Sequence, residues 1–141
     1  MASFKEINIP QKPPMVMVDR IVDVSNKTTV TSFLIGKDNV FTEDGFFREP
    51  GLIENIAQSA AAGIASIPSD VNGEPKLGYI GAIRELKIFK LPKAGDEIIT
   101  SVTVTHEILN ATVVSGQTRL HDELIAECEL RIFLENTKEK S

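Results

Sequence analysis

Glu54 and Gln58 are the residues whose types and spacing best suit chemistry. Four positions apart on a helix, a carboxylate and an amide lie one turn from each other and can touch. A carboxylate can take or give a proton, and an amide beside it can orient it while bonding elsewhere with its remaining groups. Pro50-Gly51-Leu52 stands just upstream, and residue 49 is Glu, a poor N-cap. The first-turn amides are therefore expected to be open to a ligand carbonyl. Plainer readings stand beside these. Glu54 also fits a solvated acid in the first helical turn, favoured by the helix dipole. Gln58 also fits an ordinary polar-face residue.

The other reactive side chains offer less. His106 shares strand parity with Val102 and Val104 and is expected to point inward, as a core or interface histidine. His121 falls in a turn and is expected in solvent. Cys128 is the only cysteine, which leaves no internal disulfide and no cysteine metal site. It is expected to face the core and be inert. No His and carboxylate pair has metal-ligand spacing, so neither a metal nor a cofactor is expected.

One stretch must position Glu54 and Gln58: EPGLIENIAQSAAAGIASIP, residues 49–68. Leu52, Ile56 and Ala60 repeat every four residues, with Ile53, Ala57, Ala61 and Ile64 in the adjoining rows, a wide apolar face. Ala60, Ala61, Ala62, Gly63 and Ala65 make the second half slim, so other backbone can approach on several sides. Glu54, Asn55, Gln58 and Ser59 form its polar side. Pro50 suits the first turn and Pro68 blocks continuation. Strands are expected on either side: Met15–Val24, Thr28–Ile35, Leu77–Phe89 with a bulge near Arg84-Glu85, Glu97–Ile108, a weaker Ala111–Leu120 broken by Gly116, and Glu123–Leu134. In the last, Leu124, Ala126, Cys128, Leu130, Ile132 and Leu134 share one face. Val40–Arg48 reads as a loop. Short connections make neighbours antiparallel. The expected fold is α+β: a six-stranded antiparallel sheet wrapped around one central helix, the hotdog fold. Exposed sheet edges in such a unit call for a dimer.

At 141 residues the chain is one domain, irregular over 1–14 and frayed over 136–141. Its 42% hydrophobic content suits a globular core. A net charge of -5 without a basic cluster argues against nucleic acid. No apolar run is long enough for a membrane span and the N-terminus does not read as a signal peptide, so a cytoplasmic location is expected.

Four segments carry a family resemblance: PPMVMVDRIVDV (13–24), PGLIENIAQSAA (50–61), GYIGAIRELKIFKLPKAGDEI (78–98) and AECELRIFL (126–134). In this order they resemble the 3-hydroxyacyl-acyl-carrier-protein dehydratases, the hotdog enzymes of fatty-acid synthesis. That family has a His in a Gly-His-Phe-Pro-Gly loop ahead of the helix. The loop here, FTEDGFFREPG, has none, and the stretch from Pro-Gly to the acid is shorter. The chain is more similar to a divergent branch found with aryl-polyene and related pigment or lipid pathways, which likewise lacks that His.

The resemblance implies a role for each residue. Dehydrating a 3-hydroxyacyl thioester needs a base, an acid and a donor to the carbonyl. Glu54 matches the family's carboxylate, Gly51 and Leu52 its helix-start amides, and Gln58 the helix glutamine that orients the acid. Phe46 and Phe47 either line an acyl tunnel or pack beneath the helix. Arg84, Lys87, Lys90 and Lys93 either greet an acidic carrier protein or form an ordinary solvated surface. The implied substrate is a thioester of acyl carrier protein or coenzyme A. The implied assembly is a homodimer, or a heterodimer with another hotdog protein. Without the His, two other readings stay open: a non-catalytic subunit of a hotdog pair, and a thioesterase in which Glu54 activates water.

Overall fold

The computed structural model describes residues 9–65, 77–109 and 111–135. The strands are β1 (Arg20–Val24), β2 (Thr28–Leu34), β3 (Thr42–Glu43), β4 (Phe46–Phe47), β5 (Leu77–Ile88), β6 (Glu97–Ile108), β7 (Ala111–Leu120) and β8 (Glu123–Glu135). Among the described residues, one helix, α1 (Glu49–Ala65), follows β4. Six strands form one sheet in the order β1-β2-β6-β7-β8-β5, and each neighbouring pair is antiparallel. This is the expected architecture. The stop at Pro68, the loop at 69–76, residues 1–8 and the 136–141 tail lie outside the described residues.

Glycines set three close contacts around α1. A Cβ on Gly63 would run into the Thr29 side chain of β2, and one on Gly116 of β7 would meet Cγ2 of Ile56. A Cβ on Gly51 would lie 2.5 Å from the Phe47 ring. Gly116 therefore does not break β7; it makes room for the helix. Two apolar clusters fill the concavity. Phe33, Phe47, Leu52 and Ile98 surround the start of α1, while Ile56, Ala60, Val102, Val114 and Leu130 run along it.

Four expectations change. Strand β1 starts only at Arg20, because Met15–Met17 runs past the helix and bonds to its side chains instead. The loop at 40–48 contains a hairpin, β3–β4, whose turn residues Asp44 and Gly45 have φ of 53° and 84°. Asp-Gly is the residue pair such a turn requires. In β6 the register shifts between Val104 and His106, which reverses parity and leaves His106 exposed instead of inward. In β8 a shift around Ile125 buries Ile125 and Ala126 together, and Leu124 stays half-buried. The bulge expected in β5 lies between Arg84 and Lys87, with Glu85 at φ 52° and a second shift at Gly81.

Strand β5 is a sheet edge, and apolar side chains crowd it. Tyr79, Ile80, Ile83, Leu86 and Phe89 are all exposed. Ile80 and Ile83 pair with Ile132 and Leu130, which are buried, so the core-facing side of the sheet continues uncovered onto β5. The opposite edge, β1, is five residues long.

Candidate active site

Glu54 lies in the second turn of α1, since the helix starts at Glu49. It is half-buried. The acid of the first turn is Glu49, which its own backbone amide and the neighbouring Arg48 guanidinium hold below the usual carboxylate range. Gln58 donates from Nε2 to Oε2 of Glu54 at 3.0 Å. The same nitrogen donates to the Met15 carbonyl at 2.8 Å, and Oε1 accepts the Met17 amide at 2.6 Å. Gln58 is fully buried, so it is not a polar-face residue; all its bonding groups meet protein.

The supposed polar side of α1 is thus an interior one. Asn55, Gln58 and Ser59 are each 0% exposed. Asn55 donates to the Met17 carbonyl at 2.7 Å and accepts from Thr100 on β6, whose hydroxyl is 2.9 Å from that of Thr118 on β7. Ser59 donates back to the Asn55 carbonyl and meets Thr31 of β2, both at 2.7 Å. Buried polar groups persist only when paired, and each of these is paired, to the Met15–Met17 backbone, to sheet hydroxyls, or to another residue of α1. Sequence alone does not single out Asn55 or Thr100. The available signal is two polar pairs at helical spacing, Glu54/Gln58 and Asn55/Ser59, in an otherwise apolar helix.

The helix start differs from expectation. Gly51 and Leu52 both direct their amides to one carbonyl, that of Arg48, at 2.9 and 3.3 Å. They are engaged within the helix and not open to a ligand. Gly51 answers instead to packing, as the seat of the Phe47 ring. Phe47 is fully buried in the core and 5.9 Å from Phe33, ring to ring. Phe46, next to it, is exposed under the Lys93 ammonium. The structure therefore brings together Glu54, Gln58 and the Met15–Met17 backbone, and sets Phe46 apart from them.

The remaining candidates lie elsewhere. His106 and His121 are exposed, the latter at φ 50° in the β7–β8 turn. Cys128 is buried, and desolvation pushes its thiol up to about 11. Lys90 pairs with Glu123 at 3.5 Å, while Arg84 and Lys87 stand opposite Glu129 and Glu127 across β5–β8. A groove of about 350 Å³ crosses β5–β8 and is lined by Lys87, His106, Ser115, Glu127 and Glu129 among others. Glu54 is not part of its lining. Among the described residues, no helix is long and apolar enough to cross a membrane.

An antiparallel sheet curled around one helix that carries a half-buried carboxylate defines the class, a hotdog protein. The structure resembles the dehydratase heterocomplex ApeI:P from Xenorhabdus doucetiae, with TM-score 0.81 and 16% identity over 93% of this chain and 90% of that one. It also resembles a hypothetical thioesterase bound to coenzyme A from Streptococcus pneumoniae, with TM-score 0.68 and 11% identity over 82% and 84%. At these identities the likeness is one of fold.

Sequence comparison narrows the class. The family model for ApeP-like proteins, described as ApeP dehydratase, matches residues 5–141, and the chain belongs to that family. The 3-hydroxyacyl-[acyl-carrier-protein] dehydratase FabZ of Fusobacterium nucleatum is 29% identical over 136 residues, covering 89% of this chain and 91% of that protein. The FabZ of Clostridium botulinum is 29% identical over 141 residues, covering 92% and 96%.

Proposed function

We propose that this protein serves the dehydration of 3-hydroxyacyl thioesters, with Glu54 as the acid/base group, as one chain of a hotdog pair. The observation that carries the reading is the hold on Glu54: a fully buried glutamine donates to one carboxylate oxygen and leaves the other free. In the reaction the C2–H and C3–O bonds break, a C2=C3 double bond forms and water leaves. Glu54 takes the C2 proton. The hydroxyl departs with a proton that comes back from Glu54 or from a second group. This chain's loop has no histidine for that second role, and His106 and His121 lie on other elements in solvent. The partner subunit or a water supplies it.

The uncovered apolar edge of β5 supports pairing with a second hotdog chain. The likeness to a heterocomplex favours a different chain over a copy. The printed names of the FabZ relatives favour an acyl-carrier-protein thioester over a coenzyme A thioester. The engaged amides of Gly51 and Leu52 favour a second reading, a non-catalytic subunit that stabilises an active partner.

An assay of the purified protein with a 3-hydroxyacyl thioester, alone and mixed with an active homologous dehydratase, separates the readings. Under the first, Glu54→Gln lowers dehydration by about 10²–10⁴-fold. Activity only in the mixture and indifferent to Glu54→Gln establishes the subunit role. Release of free thiol in place of the enoyl product identifies a thioesterase.

A further inference from the structure

A helix fixes the Cα of a glutamate but not its carboxylate, which sits beyond three rotatable bonds. In this protein the carboxylate is tied to the sheet by a chain of hydrogen bonds with one direction. It begins on β7, where Thr118 meets Thr100 of β6 at 2.9 Å. Thr100 donates to Oδ1 of Asn55. Asn55 Nδ2 donates to the Met17 carbonyl at 2.7 Å, the Met17 amide to Gln58 Oε1 at 2.6 Å, and Gln58 Nε2 to Glu54 at 3.0 Å.

The direction is forced. A carbonyl only accepts, so Met17 fixes which end of the Asn55 amide is nitrogen. The remaining Asn55 oxygen only accepts, so Thr100 must donate to it. The one proton of Thr100 is then used, and Thr118 must donate to Thr100. Backbone partners fix the Gln58 amide in the same way. Every donor points toward Glu54; the bonds on either side of Met17 polarise one another, and across Met17, whose amide and carbonyl belong to separate peptide groups, the link is the position of the backbone. Thr118, Thr100, Asn55, Met17 and Gln58 are all 0% exposed, so no solvent stands ready to replace a lost partner.

We propose that Thr100 and Asn55 are positioning residues for Glu54, acting through the Met17 backbone and Gln58. The proposal rests on the reading of Glu54 as the acid/base group. Removing the Thr100 hydroxyl frees the Asn55 oxygen, lets that amide turn, and loosens the Met17 backbone against which Gln58 is braced. Small misplacements of a reacting group are costly in rate and cost little in binding.

The test compares Thr100→Val, which keeps the shape, with Thr100→Ser, which keeps the hydroxyl. One readout is dehydration of a 3-hydroxyacyl N-acetylcysteamine thioester, by the protein alone or paired with the active homologue. The other is the NMR signal of the Gln58 side-chain amide. Thr100→Val is expected to lower kcat about tenfold with KM within about twofold, and to shift the Gln58 signal. Thr100→Ser is expected to restore both. A folded Thr100→Val protein with wild-type kcat and an unmoved Gln58 signal overturns the proposal. So does a loss that Thr100→Ser does not rescue, which assigns Thr100 to packing alone. If Thr100→Val fails to fold, Thr100→Ala, which differs from Thr100→Ser only by the hydroxyl, carries the same two readouts and the same two refuting outcomes. If no Glu54-dependent activity exists, the proposed function fails while the NMR signal still decides whether the relay holds Gln58.

Discussion

Replacing Gln58 with Leu removes three hydrogen bonds at nearly constant volume, and the structure sets the cost of each. The Met17 amide is left inside the protein without an acceptor, since Met17 is 0% exposed. A buried orphan of this kind costs about 1–3 kcal/mol. The Met15 carbonyl fares better: Met15 is 39% exposed and water can reach it, so its bond is worth about 0.5–1 kcal/mol. The bond to half-buried Glu54 is likewise replaceable by water and falls at the bottom of the range for charged partners, about 1.5 kcal/mol. Against these, burying leucine's apolar surface returns about 1–2 kcal/mol. The net is a loss of about 2–3 kcal/mol, which leaves a domain of ordinary stability folded. Equilibrium urea unfolding measures it: with a slope of about 2 kcal/mol per molar, the midpoint falls by about 1–1.5 M at unchanged slope. Gln117→Leu, a half-buried glutamine on β7, serves as control and shifts stability by less than about 0.5 kcal/mol. A Gln58→Leu midpoint within error of wild type would falsify the view that Gln58 braces the Met15–Met17 segment.

Three further outcomes follow from single contacts. Gly116→Ala drives a methyl into Cγ2 of Ile56 and costs about 1–3 kcal/mol; Ile56→Ala, which removes that carbon, makes the added methyl cheaper, so a double-mutant cycle in urea shows coupling between them and no coupling counts against the packing described. His121 and Asp122 hold φ of 50° and 67° in the β7–β8 turn, so His121→Asn with Asp122→Gly stabilises by about 1 kcal/mol, read as a rise of a few degrees in Tm. The Cys128 thiol, raised from 9.0 to about 11 by burial, stays protonated in the fold where the unfolded chain ionises. Its contribution to stability is therefore complete below about pH 9 and lost as pH rises toward 11, so wild type loses more stability than Cys128→Ala over that window, and parallel pH curves refute the assignment.

Much of the fold was legible because its signals are local. Alternation fixed β6 and β7, and the Ala-rich period-four stretch marked α1 to within a residue of its start. The β3–β4 hairpin was equally local, with Asp44-Gly45 as its mark, but two-residue strands show no alternation. The failures came where a strand slips by one residue. Parity beyond a bulge reverses, and nothing in Val104-Thr105-His106 announces the slip. His106 therefore looked inward in the sequence and lies in solvent.

For the site, the sequence by itself determined that a glutamate and a glutamine share one face of α1. Helical geometry guarantees that much from spacing four. Only the tertiary structure decided that this polar face is interior. Its partners, Met15 and Met17 some forty residues upstream and Thr100 some forty-five residues downstream, are remote in sequence, and hydrogen bonds over such separations leave no local trace. The tertiary structure also decided that the Gly51 and Leu52 amides turn inward to Arg48, because capping depends on which residue begins the helix, a boundary that residue types alone left one position off.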